Sequence, residues 1–184
     1  MNALPTRDPN SLVLSTARIG PGSVVSVVPK IRISLPEWLT IPSLGIRVAI
    51  GRLGLEPNGQ VMVPTSVSVV GWYVHGPPPG QLGSAVILGH VDAYLGPGIF
   101  FRLKDLKAGQ IIEVTAAEAL TLHFRVARVM QFAKSHFPDQ LVYGSHGQRS
   151  RQLVTCGGTF NHATGSYESN IVVFSTLISP RASL

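Results

Sequence analysis

No stretch of this chain repeats its apolar residues at helical spacing for more than about one turn, and this constrains the fold more than any other feature. Short apolar runs follow one another instead, each closed by turn-forming residues. Gly (19) and Pro (14) supply most of that punctuation. "SAVILGHV" is a continuous apolar run that reads as a buried central strand. "IIEVTAAEALTLHFRVARVMQFA" reads as two alternating strands around a hairpin, and "RQLVTCGG" and "NIVVFSTLIS" as the last two strands, joined by the turn-rich "GTFNHATGSYES". "GQVMVPTSVSVVGWYV" reads as a strand, a turn and a short bridging segment. "GIFFRLKDLKAGQ" and "HFPDQLVYGSHG" each offer a single helical turn. Many short strands with little helix predict an all-β fold, closed or nearly closed into a barrel.

The length suits one domain with its own core. Hydrophobic residues make up 45% of the chain and charged residues 13%, which excludes disorder for most of it. Residues 1–36 carry Pro5, Pro9, Pro21, Pro29 and Pro36 and read as a linker or stalk, with "SVVSVVP" its one potential edge strand. Residues 37–184 form the predicted domain. No run approaches the roughly 18 apolar residues that a spanning helix needs, and no apolar signal-peptide core is visible near Met1. The formal charge is +6, but the basic residues are scattered, which argues against nucleic-acid binding. A positive surface also suits an anionic membrane or cell wall.

Cys156 is the only cysteine, so no internal disulfide is available. It ends an apolar run and precedes Gly157 and Gly158. One reading is a buried core thiol. The other is a nucleophile, with the glycines allowing a substrate chain close to the sulfur and offering backbone N–H groups to an oxyanion. A nucleophilic thiol needs a basic partner. His75, His123, His136, His146 and His162 lie in or beside turns or on alternating strands. His90 ends the apolar run "SAVILGH", where a histidine suits a strand tip facing a cleft, with Asp92 placed to orient it or cap the next turn. A core histidine bonded to backbone is the plainer alternative. For a cationic oxyanion donor, spacing alone does not choose among Arg102, Arg125, Arg128, Arg149 and Arg151. The dispersed histidines and nine acidic residues offer no metal cluster.

In order, "IPSLGI", "VGWY", "AVILGHVD", "GIFFRLKDLKAGQ", "LVTCGG" and "TGSYESNIVVF" resemble the sortases, specifically the class F type of actinobacteria and their relatives, over about Leu39 to Phe174. The resemblance implies an eight-stranded barrel and transpeptidation at a Leu-Pro-x-Thr-Gly-like sorting signal. Cys156 would attack the Thr carbonyl and form an acyl-thioester. His90 would protonate the departing glycine amine and then deprotonate the incoming amine. Thr155 and Gly157 would contact substrate. The acceptor would be a peptidoglycan amine or a pilin lysine. No cofactor and no metal are implied, and the enzyme is expected to act as a monomer. Its place would be the extracellular face of the membrane, held by an anchor not visible in this chain. Sortases generally carry an Arg on the strand after the cysteine strand, and Asn170 stands at that place here. Asn170 and Arg102 are therefore the two expected candidates for the oxyanion donor. A hydrolase on the same barrel, and a catalytically silent barrel that binds sorting peptides, are the competing functions.

Overall fold

The computed structural model describes residues 35–94, 96–116 and 120–178. The predicted stalk falls almost wholly outside those residues, as does the suggested edge strand "SVVSVVP". Ten strands are present among the described residues: β1 (Pro36–Ile41), β2 (Ile46–Leu53), β3 (Val70–Tyr73), β4 (Gly83–Gly89), β5 (Asp92–Ala93), β6 (Gly96–Pro97), β7 (Ile111–Ala116), β8 (Thr121–Ala133), β9 (Arg149–Asn161) and β10 (Ser166–Leu177). One short helix, α1 (Asp139–Tyr143), lies between β8 and β9. A closed barrel runs β1-β2-β3-β4-β9-β10-β8-β7, and β5 and β6 form a separate two-stranded ladder. The expected all-β barrel of about eight strands is what the chain forms.

β4 explains its own sequence. Every residue from Gly83 to Gly89 is buried. It pairs with β3 on one side and runs parallel to β9 on the other. Ile87 packs inside the barrel with Leu39, Val70, Val114, Phe124, Leu153 and Val173. Val86 and Leu88 point the other way, against Val154, Val172, Phe174 and Val142 of α1. A strand covered on both faces must be apolar throughout rather than alternating. Cutting Ile87 back to Ala would cost about 2–5 kcal/mol, the usual scale for a buried Ile.

Two segments differ from the sequence reading. "GQVMV" does not form a strand; it contributes a single bridge, Leu55 to Val61. β9 runs further at its end, and β10 begins earlier, than "RQLVTCGG" and "NIVVFSTLIS" suggest. Polar and small residues carry them on to Asn161 and from Ser166, where they pair mainly with each other.

Candidate active site

β4 delivers His90. A Cβ on Gly89 would lie 2.7 Å from the Phe100 ring, so only glycine lets the 98–101 turn pack against the strand end. That turn then fixes the backbone, since the Phe100 N–H donates to the His90 carbonyl at 2.9 Å. The ring is fixed as well, because Nε2–H donates to the Pro64 carbonyl at 2.6 Å. A carbonyl only accepts, so the neutral ring keeps its proton on Nε2 and its lone pair on Nδ1.

β9 delivers Cys156 to the same face. Leu88 and Val154 are register partners in the parallel β4–β9 pair. Side chains alternate with period two, so His90 and Cys156, each two residues further on, stand on one side of the sheet. Both line a cavity of about 580 Å3, together with Asp92, Tyr94, Phe160 and Tyr167. Cys156 is half-buried. Its partner on the other side is Asn170 of β10, directly in register. Residues opposite one another on neighbouring strands share a face, so the half-buried Asn170 side chain stands beside the thiol.

A second cavity, of about 350 Å3, opens on the far side of Cys156, lined among others by Lys104, Gln131, Thr155, Gly157, Gly158 and Tyr167. The Thr155 hydroxyl is buried and has no hydrogen-bond partner among the described residues. The two glycines have local reasons. A Cβ on Gly157 would fall 2.6 Å from the Ile171 side chain, and Gly158 sits at φ +79° with Ser169 Oγ 2.9 Å from where its Cβ would be. The sequence reading gives these glycines to substrate approach; packing and backbone conformation already require them.

Asp92 does not hydrogen-bond His90. It accepts a hydrogen bond from the Tyr167 hydroxyl. That bond is the main reason the Tyr167 hydroxyl is held above its usual pKa, with burial and the charges of Asp92 and Cys156 adding to it.

The sortase domain model matches residues 39–178 of this chain. The chain belongs to the sortase family. No curated protein matches it. Among solved structures, sortase C2 of pilus island 1 from Group B Streptococcus is 20% identical with a TM-score of 0.60, covering 78% of this chain and 73% of that one. Sortase A from Corynebacterium diphtheriae is 17% identical with a TM-score of 0.60, covering 84% and 66%. Sortase C-1 from Actinomyces oris is 18% identical with a TM-score of 0.59, covering 77% and 73%. These likenesses show a shared sortase barrel, and the family as a whole works as cysteine transpeptidases or pilin polymerases.

Arg102 is not brought to this sortase's thiol. Its side chain is 61% exposed, and Nε donates to Asp105 at 3.1 Å. It lines a separate cavity of about 340 Å3 that touches neither Cys156 nor His90. Its charge is already partnered and solvated. Lys104, two residues on, is the cation that reaches a Cys156 cavity. Arg151 shares β9 with Cys156 but faces the barrel interior, fully buried, its guanidinium 4.3 Å over the Phe124 ring. The other histidines are engaged elsewhere: His75 on Tyr73, His123 near Glu113, His136 on Ser135, His146 on the Leu141 carbonyl, His162 on Phe160. Among the described residues no three His, Cys, Asp or Glu side chains converge into a metal site. Sequence reasoning passed over Tyr167, Lys104 and Gln131. Tyr167 lies in a turn-rich segment, and only the tertiary fold brings it to Asp92.

Proposed function

We propose that this chain is a cysteine transpeptidase of the class F type, cutting a Leu-Pro-x-Thr-Gly-like sorting signal between Thr and Gly and passing the acyl half to an amine. The substrate would be a surface protein and the acceptor a peptidoglycan amine or a pilin lysine, met at the outer face of the membrane by a monomeric enzyme. The observation that carries this reading is that Cys156 and His90, delivered by different strands, line one cavity.

The Cys156 thiolate attacks the Thr carbonyl carbon, and a C–S bond forms as the carbonyl oxygen takes the negative charge. Asn170, in register beside the thiol, would donate its amide N–H to that oxygen. A preorganised donor of this kind is worth about 10²–10³ in rate. The C–N bond then breaks, and protonated His90 gives its proton to the departing glycine amine. The acceptor amine attacks the thioester carbon, loses a proton to His90, and expels the thiolate. Thr155 and Gly157 line the adjoining cavity, where a substrate chain would pass them, while the Thr155 hydroxyl itself is buried.

The test is incubation with a small set of sorting-signal peptides and a glycine or lysine-like amine, with products read by mass spectrometry. Amine-joined product is the expected result. Cleaved peptide with a free carboxylate alone would mean a hydrolase, and intact peptide throughout would leave only a binding barrel.

A further inference from the structure

Two cavities meet at Cys156, and Tyr167 and Val91 are the neighbours that line both. Tyr167 owes its place to an irregularity. Tyr167 pairs with Phe160, and Ser169 pairs with Gly157, so the β9–β10 register shifts between them. A bulge of this kind bends the ribbon and re-aims a side chain. Phe160 packs against the Tyr167 ring edge-on, 5.2 Å between centroids. At the tip, the hydroxyl donates to Asp92, two residues past His90. The bond therefore ties the β9–β10 arm to the segment that carries His90. No step of the proposed reaction uses either group.

We propose that Tyr167, held by Asp92, is a positioning residue that decides between amine and water at the acyl-thioester. The inference rests on the transpeptidase reading above. Both competing steps break the same C–S bond and release the Cys156 thiolate. With an amine, a C–N bond forms and the nitrogen's proton goes to His90. With water, a C–O bond forms, the proton goes to the same ring, and a carboxylic acid leaves. The acyl carbon and the base are common, so what differs is access. A ring fixed between the two cavities restricts the approach of water on one side and leaves the His90 side for the amine. A carboxylate acceptor makes that fixing bond stronger than one to a neutral group.

The experiment measures the ratio of amine transfer to hydrolysis in Tyr167→Phe, Asp92→Ala, Asp92→Asn and the Tyr167→Phe/Asp92→Ala pair. In parallel it measures the rate at which neutral iodoacetamide alkylates Cys156, which needs no sorting peptide. Tyr167→Phe and Asp92→Ala should each lower the ratio by about three- to tenfold, the net scale of one ordinary hydrogen bond, as fits a partly buried pair. Each should raise alkylation to a similar extent. Asp92→Asn, whose amide oxygen still accepts but without the charge, should lie between wild type and Asp92→Ala, and the double variant should be no worse than either single one. An unchanged ratio and unchanged alkylation in a folded Tyr167→Phe protein would overturn the proposal, as would additive effects in the pair. If wild type joins no amine but Tyr167→Phe still exposes the thiol, the transpeptidase reading fails and the clasp stands. If it joins none and alkylation is also unchanged, both fail.

Discussion

Arg151 and Cys156 lie on the same strand and face opposite sides of it. Arg151 points into the barrel, fully buried, and none of its three guanidinium nitrogens has a hydrogen-bond partner among the described residues. Burial drives its pKa well below the arginine range, and the Phe124 face offers it a compensating contact. Cys156 stands half-buried with a histidine and an asparagine on its own face and a cavity to either side. The strand thus carries one charge closed off inside the barrel and one thiol open to two cavities. A strand's alternation decides which residue can do chemistry; having a charge near the cysteine in sequence does not.

The sharpest way to break that contrast is Cys156→Ala. It should remove all peptide cleavage while the melting temperature stays within a few degrees, because the side chain is small and only half-buried. Full turnover in this variant would move the chemistry elsewhere. Asn170→Ala should slow acylation by about 10²–10³ if its amide holds the oxyanion. A loss below about threefold, far short of that scale, would hand the role to Lys104, Gln131 or the backbone. His90→Ala should cost at least about 10², seen as a lower kcat in a peptide-cleavage assay.

At the other end of the strand the expected effect is on stability, with the opposite sign. Arg151→Met should raise the denaturation midpoint by an equivalent of about 1–4 kcal/mol, the range seen when a buried ion pair gives way to apolar packing. The sign with pH follows. The folded state holds this proton less tightly than the unfolded state, so the penalty is full below the lowered pKa and fades as pH rises from it toward the ordinary arginine range. The gap between Arg151→Met and wild type should therefore narrow in alkali. A widening gap would mean that the guanidinium has a partner. Smallest of all, Arg102→Ala should change acylation less than about threefold, since an exposed pair such as Arg102 and Asp105 is worth about a kcal/mol at most.

The same contrast shows what the sequence made legible. β4 was readable because burial on both faces leaves an unbroken apolar run, and that run leads straight to His90. Cys156 is readable because a lone thiol before two glycines is unusual, although the glycines answer first to Ile171 and to a left-handed backbone position within β9. Asn170 was placed by counting along a family motif, and the register sets it opposite Cys156. Arg102 and Arg151 were not separable, because an exposed arginine and a buried one look alike in a sequence and only packing tells them apart. The outer lengths of β9 and β10 were missed because residues such as Thr159 and Glu168 carry no apolar alternation; the strands persist there by pairing with each other. Tyr167 gave no local signal, since its partner Asp92 is 75 residues away.

The central claim is that Cys156 takes up the acyl half of a sorting signal. The direct measurement is the intact mass of the protein after exposure to a Leu-Pro-x-Thr-Gly peptide with no amine present, followed by peptide mapping. The account predicts one added mass equal to the peptide up to and including Thr, located on Cys156, released by hydroxylamine, and missing in Cys156→Ala. An adduct on another residue, or an adduct that persists in Cys156→Ala, would contradict it.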